Sequence, residues 1–528
     1  MTAVGNWKSC LGDRPSNDLW NALSEEAQVI ACLRVEADLL TAERIEELCS
    51  RDLDWSVVLH LASQNDVSRL LYQNLSEIYP EAVPVWVLEQ LQQSFQAGLL
   101  RSCYLAQELL QILDLLSQRG ISALAYKGPA LAMALYGGLA VRPFCDLDIL
   151  IHPNDWLRTK AVLMAAGYDT LAVDDRLEMR NVWSDNERDF VHRDRGVVLD
   201  LHWKLMPEFF PTDLTVEDLW SRRQSVTVLG AIVESLGTED RLLALCVHGA
   251  KECWSKLKWL MDVSQLLRQS PGVDWQAVIA QAKQAHLYRI LLLGVGLAHT
   301  LLDAPIPADL VSQIQTDATL KSLMHQSCCY MFGVNVSPYR RWSPTRFRLN
   351  TRECWQDWVT YGIRRMLVPN VRDRQLVTLP SSWAWLYVLI RPFRLAGEKL
   401  GWVTRPQLGR DPKTAHLQEV SERRRDSPQE LSSCCNEQAM QSKRPKIRAD
   451  LSIYSLGTER IIYCPQQEMG VALNPSSTAI LESCDGQCTL AEIAAQVAHR
   501  FDKPIETVVE DVYAAVLELQ RLGVLEET

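Results

Sequence analysis

Asp146-Leu147-Asp148 is the most informative tripeptide of this 528-residue chain. It lies in RPFCDLDILIHP, an apolar run that predicts a strand ended by Pro153. Alternate residues of a strand share a face. Asp146 and Asp148 therefore point one way, and Leu147, Ile149 and Ile151 the other. Two carboxylates so close repel each other unless a cation lies between them. Magnesium takes oxygen ligands, commonly one or two carboxylates together with substrate phosphates. A second predicted strand, Val197 to Trp203, carries Asp200 and His202 on one face and Leu199, Leu201 and Trp203 on the other. Set beside the first, it would bring Asp200 to the pair. Three carboxylates suit a two-metal site that clamps the attacking and leaving oxygens of an in-line displacement. Most Asp-x-Asp pairs at strand ends are solvated turn residues, so the surrounding sequence must decide.

The elements around the carboxylates form a small α/β layer. Residues from 18 to 118 read as helices: CLRVEADLL has near-helical apolar spacing, and Leu105, Leu109, Ile112 and Leu116 fall on one helical face that Gly120 ends. ISALAYKG reads as a strand and turn, ALAMALYGG as a helix capped by Gly137 or Gly138, residues 155–166 as a helix, and GVVLDLHW as a strand. That strand–helix order describes one α/β layer. Residues 215–330 read as helical, including one helix over 241–267. Residues 330–405, rich in Trp, Arg and Pro, give no clear assignment. Residues 408–448 carry many charges and few large apolar groups, the composition of a linker.

Bulk properties exclude some classes. The formal net charge is -11, which argues against a general nucleic-acid binder, since phosphate contacts need clustered cations. The N-terminal residues lack the order of a secretory signal. No stretch reaches the about 18 apolar residues of a membrane span; the nearest, Trp383 to Ile390, is short and followed by Arg391 and Arg394. The 15 cysteines follow no framework, so reduced thiols and a cytoplasmic location are expected.

In order, Tyr126-Lys127-Gly128-Pro129-Ala130-Leu131, Leu135-Tyr136-Gly137, Arg142 with Asp146-Leu147-Asp148-Ile149-Leu150-Ile151, Asp200-Leu201-His202-Trp203, and His248-Gly249-Ala250-Lys251 with Trp254 and Asp262 resemble the nucleotidyltransferase superfamily, DNA polymerase beta-like, in its poorly characterised bacterial branch. The resemblance spans roughly residues 25 to 400. It implies that Asp146 and Asp148 bind metal, that Asp200 is a ligand or general base, and that Gly128 lies at the glycine turn approached by triphosphate. Pro129 departs from the Gly or Ser of many relatives, and Lys127 precedes the turn, where it could neutralise phosphate. A glycine opening a helix lets backbone N–H groups approach an anion, although Gly128 serves equally as a plain strand-to-helix turn. Arg142 stands between a phosphate contact and an ordinary salt bridge. In the expected 241–267 helix, Lys251, Ser255, Lys258 and Asp262 share a face, with His248 a turn earlier. That face is either a triphosphate grip, with His248 and Lys251 as its nucleotide-binding members, or a solvated surface. Trp254 reads as core or cleft wall.

Residues 449–528 read as three short strands, LSIYS, RIIYC and GVALN, then three helices, the second opened by a Thr489/Glu492 capping box. This winged-helix-like unit resembles the PqqD family through Leu473-Asn474-Pro475, Ile480-Leu481-Glu482, Cys484-Asp485-Gly486 and Thr489-Leu490-Ala491-Glu492-Ile493-Ala494. The resemblance implies a leader peptide added as a strand to the sheet edge, near Val471, Ala472 and Leu473, by β-augmentation. A DNA-reading winged helix needs a basic recognition helix. The last helix here holds Glu506, Glu510, Asp511 and Glu518 against Arg521, so no DNA partner is expected.

The expected fold class is α+β: a helical region (1–118), a nucleotidyltransferase core with a mixed sheet (119–214), a helical region (215–407), a linker (408–448) and a PqqD-like domain (449–528). The expected activity is magnesium-dependent transfer of a nucleotidyl group, most simply AMP from ATP, in tailoring of ribosomally made peptides, with a leader peptide or peptide-bearing partner bound by the last domain. The alternatives are a small-molecule nucleotidyltransferase with a regulatory last domain, and a non-catalytic adaptor that presents peptides.

Overall fold

The computed structural model describes residues 24–35, 39–170, 186–192, 195–205, 215–332, 344–353, 355–367, 386–400, 444–448, 452–456, 459–464, 469–473 and 475–501, with isolated positions between 373 and 383 and between 505 and 525. The chain divides into two units, residues 1–95 with 109–420 and residues 96–108 with 421–528. The fold class is α+β, as expected.

The first unit is built on a mixed five-stranded sheet. Its strands are β1 (Ala123–Ala125), β2 (Asp146–Ile151), β3 (Tyr168–Thr170), β4 (Glu187–His192) and β5 (Val198–His202), in the order β1-β2-β5-β4-β3. The central pair β2 and β5 is parallel; the other pairings are antiparallel. Strand alternation sorts the residues as expected. Leu147, Ile149, Ile151, Leu199, Leu201 and Trp203 are fully buried. Trp156, on the helix Trp156–Ala165, packs on this apolar face, 4.7 Å from Trp203 and 6.0 Å from Phe190 between ring centroids. The acidic residues are left to the other face.

Leu105, Leu109, Ile112 and Leu116 are buried along the helix Val85–Gln118, and Gly120 ends it with φ +66°. The reading of CLRVEADLL as helix fails at its start. The helix Glu25–Cys32 stops at Leu33, which turns extended with ψ 135°, and the next helix is Leu39–Cys49. Residues 215–330 are not all helical either. QSVTV and AIVES form the hairpin β6 (Gln224–Val228) and β7 (Ala231–Ser235). Leu229 and Gly230 turn it with φ +49° and +84°, the two positive values of a twist-matched hairpin.

The expected 241–267 helix is two helices, Thr238–Lys251 and Leu257–Gln269. Cys253 and Trp254 both take left-handed backbone, with φ +57° and +51°. The Trp254 N–H donates to Gly249 O at 2.7 Å, and the fully buried indole fills the space beside Gly249, where a Cβ would come within 2.5 Å of it. Core packing of one tryptophan thus breaks the helix. The shared face drawn through Lys251, Ser255, Lys258 and Asp262 does not exist. Further along, helices cover Pro344–Asn350, Trp355–Leu367 and Tyr387–Leu400. No helix among the described residues is long and apolar enough to cross a membrane.

The second unit contains a three-stranded antiparallel meander, β8 (Ser452–Leu456), β9 (Glu459–Cys464) and β10 (Met469–Leu473), with β9 central. The helices Pro475–Glu482 and Leu490–Arg500 follow, and the Thr489/Glu492 capping box forms in both directions. Val508, Val512, Val516 and Leu519 are helical and buried with Ile462, Leu481 and Ile493. Lys446 and Ile447, from the end of the expected linker, form bridges to Asp485 and Leu525. Residues 408–443, Asn474, Leu522 and Gly523 lie outside the described residues.

Candidate active site

The parallel register of β2 and β5 sets Asp148 directly opposite Asp200. Both are buried. His202, two residues on, turns the same way, and single ligand atoms of Asp148, Asp200 and His202 lie within 4.8 Å of one another. Asp146, half-buried at the start of β2, is outside that group. The row of acids continues across the sheet. Asp189 on β4 stands opposite Asp200, and Glu187 opposite His202. Neither was singled out from the sequence. The signal was the same one used for Asp146 and Asp148: acids at i and i+2 in a short strand, with Phe190 facing the opposite, apolar side.

Alternating charges link these groups. The Lys127 ammonium donates to Asp148 Oδ1 at 2.9 Å. His202 Nε2 lies 3.2 Å from the same oxygen and 3.1 Å from Tyr126 Oη. His202 Nδ1 is 3.2 Å from Glu187 Oε2 but lacks a hydrogen bond of good direction, which leaves it an orphaned buried atom. Glu187 Oε1 in turn lies 3.6 Å from Lys251 Nζ. Burial alone would raise the Asp148 pKa, but Lys127 and His202 hold it far below the ordinary carboxylate value. Burial likewise opposes ionisation of Glu187, yet His202, Lys251 and Lys127 bring it down to about 2. For Lys127, burial is outweighed by Asp148, and its pKa is raised well above the ordinary value.

His248 lies on the last turn of Thr238–Lys251, edge-on to Trp259 at 5.2 Å. Burial, then the cations Lys127 and Lys251, push its pKa well down, so its imidazole is neutral at neutral pH. Lys258 turns elsewhere and donates to Asp66 Oδ2 at 2.8 Å, sharing that carboxylate with Lys256. Arg142 is in an ion pair, and a buried one. Its Nε and one Nη donate to the two oxygens of Asp262 at 2.8 and 2.9 Å, and Tyr136 Oη donates to Asp262 at 2.9 Å.

Gly128 opens the helix Gly128–Tyr136 with φ +53°, and an added Cβ would lie 3.2 Å from Asp146 O. Only glycine meets both conditions without strain. The turn therefore rests against the strand end that carries the acids, with Lys127 just before it. Two buried carboxylates, an imidazole with an orphaned nitrogen, and one lysine as countercharge make a donor set that fits a divalent cation.

In the second unit, Val471, Ala472 and Leu473 pair with Ile462, Ile461 and Arg460 of β9. The strand order leaves β10, like β8, at an edge of the three-stranded sheet.

Comparison with known proteins finds two family matches along the chain. Residues 51–303 match the family described as "Uncharacterised nucleotidyltransferase". Residues 459–525 match "Coenzyme PQQ synthesis protein D (PqqD)". A PqqA binding protein of Rhizobium meliloti (strain 1021) is 35% identical over 68 residues, 13% of this chain and 67% of that protein. No solved structure matches.

Proposed function

We propose, for a chain that belongs over residues 51–303 to the uncharacterised nucleotidyltransferases and over residues 459–525 to the PqqD family, metal-dependent transfer of a nucleotidyl group, most simply AMP from ATP with release of pyrophosphate, to an acceptor delivered through a bound peptide. The observation that carries this reading is the register of Asp148 against Asp200 beside the Lys127-Gly128 turn.

Asp148 and Asp200, with His202 or Asp146, are the residues to hold divalent cation, magnesium by the oxygen donors and up to two ions by their number. Bound there, it would supply charge neutralisation on the transferred phosphate. The remaining work falls to the chain. Lys127, which pairs with Asp148 at the turn, would neutralise a phosphate oxygen bound beside that carboxylate. The N–H groups opening the Gly128 helix add donors at the same place. Lys251 and neutral His248 flank the triphosphate, the latter as a hydrogen-bonding group without charge. Asp200 orients the acceptor and accepts its proton. Arg142 acts through Asp262 as a positioning residue, holding the segment that leads into β2.

The PqqD domain binds the leader peptide along β10, at Val471, Ala472 and Leu473. Tethering raises the local concentration of whatever acceptor the peptide brings. The likeness of the last domain to a protein described as a PqqA binding protein supports a part in tailoring of ribosomally made peptides.

Calorimetry with each of the four NTPs, with and without magnesium, tests the first half. Saturable, magnesium-dependent binding of one NTP, lost in Asp148→Asn and Asp200→Asn, is expected. Absence of binding at millimolar NTP by the folded protein would overturn the enzyme reading and leave a peptide-presenting adaptor.

A further inference from the structure

One imidazole stands between two carboxylates. His202 Nε2 is 3.2 Å from Asp148 Oδ1, and Nδ1 of the same ring is 3.2 Å from Glu187 Oε2. The side chain is 2% exposed, so bulk water does not solvate it. Both carboxylates stay ionised at neutral pH despite their burial. A neutral imidazole carries one N–H and one lone pair. With an anion at each end, that lone pair must face a negative oxygen. The Tyr126 hydroxyl, 3.1 Å from Nε2, suits the tautomer with its proton on Nδ1, since it can then donate to Nε2. Nδ1 is a buried atom still without a well-directed hydrogen bond, and Glu187 Oε2 is an acceptor within its reach.

The Nε2 lone pair and Asp148 Oδ1 then share one space, and a cation bound by both relieves their repulsion. A proton there would also relieve it, but would leave Asp200 aside. Single ligand atoms of Asp148, Asp200 and His202 lie within 4.8 Å of one another, and Glu187 is outside that group. Glu187 thus stands behind the ring, where a carboxylate fixes the tautomer and aim of a ligating histidine. We propose, resting on the cation site of the nucleotidyltransferase reading, that His202 ligates that cation through Nε2 with Glu187 as its positioning residue, and that this nitrogen makes the site prefer manganese to magnesium. Magnesium favours oxygen donors, whereas imidazole suits first-row transition cations. A set of Asp146, Asp148 and Asp200 alone would carry no such preference.

Manganese alone, added to the full chain, is the probe, and electron spin-echo envelope modulation reads nitrogen bonded to it. Expected are a nitrogen modulation in the parent that His202→Gln abolishes and His248→Gln leaves in place, and a manganese-over-magnesium affinity ratio that His202→Gln lowers. Glu187→Gln should keep the modulation and weaken manganese binding by roughly ten- to hundred-fold. In the His202→Gln background the same change should cost little more. Bound manganese without nitrogen modulation would overturn His202 as a ligand; with magnesium-dependent NTP binding intact, the nucleotidyltransferase reading would stand. An equal cost of Glu187→Gln in both backgrounds would overturn its positioning role. Failure of the folded chain to bind either cation, with or without ATP, would overturn both readings.

Discussion

Replacing Asp262 by Ala isolates the buried pair behind the site. Asp262 is fully buried and accepts three hydrogen bonds, two from Arg142 and one from Tyr136. Its removal leaves a buried guanidinium and a buried hydroxyl without their acceptor. Breaking a buried pair from one side costs about 3–5 kcal/mol, far above the roughly 0–1 kcal/mol of a surface pair. Urea denaturation of the full chain, followed by circular dichroism, should show a loss of that size. A triple variant, Asp262→Leu with Arg142→Met and Tyr136→Phe, removes both orphans and should regain most of it, because apolar replacement of a whole buried pair is close to neutral. A loss below about 1 kcal/mol in Asp262→Ala would refute the energetic argument. The triple variant also tests the role of Arg142. If Arg142 acts through Asp262, NTP affinity in the refolded variant follows its stability. If the variant is as stable as the parent yet loses NTP binding, Arg142 touches the nucleotide and its positioning role is wrong.

Gly128→Ala combines a left-handed backbone with a Cβ 3.2 Å from Asp146 O. The backbone alone costs roughly 1–2 kcal/mol, visible in thermal unfolding, and NTP affinity should fall further than in Gly137→Ala, whose Cβ meets nothing. Glu187 makes stability depend on pH. Its pKa is about 2 in the fold against an ordinary 4.5, so its contribution is complete above pH 4.5 and drains away as pH falls toward 2. The stability gap between the parent and Glu187→Gln, measured by urea denaturation, should therefore close over that range; a gap independent of pH would contradict it. Thr489→Ala removes one side of the capping box and should cost about 1 kcal/mol, read as a lower unfolding midpoint of the PqqD domain. Equal midpoints would mean that the box is not formed.

Period and punctuation made much of this fold legible. Alternation in DLDILI and VLDLH gave the two central strands and sent their leucines, isoleucines and Trp203 to the apolar face. Gly120, Gly137 and the capping box ended or opened helices where short-range chemistry demands it. What stayed hidden depended on distant partners. Trp254 reads as one more apolar position on a helix, yet its packing against Gly249 and Gly294 forces two left-handed residues and ends that helix. The β6–β7 hairpin turns on Leu229-Gly230, and leucine with positive φ carries no local signal. The same limit governs the site. Asp148 and Asp200 announced themselves by type and spacing, but their shared position came from strand register, which no local pattern encodes. Register also brought in Glu187, Asp189 and His202, and the turn before the Gly128 helix supplied Lys127 as countercharge. Asp148 and Glu187 are held ionised because each touches a cation, Lys127 in the first case and Lys251 in the second. A nucleotide entering with its own negative charge must therefore bring positive charge with it or take Lys127 and Lys251 from their acids. That requirement, set by Coulomb's law in a buried site, ties the acids and the lysines into one functional unit.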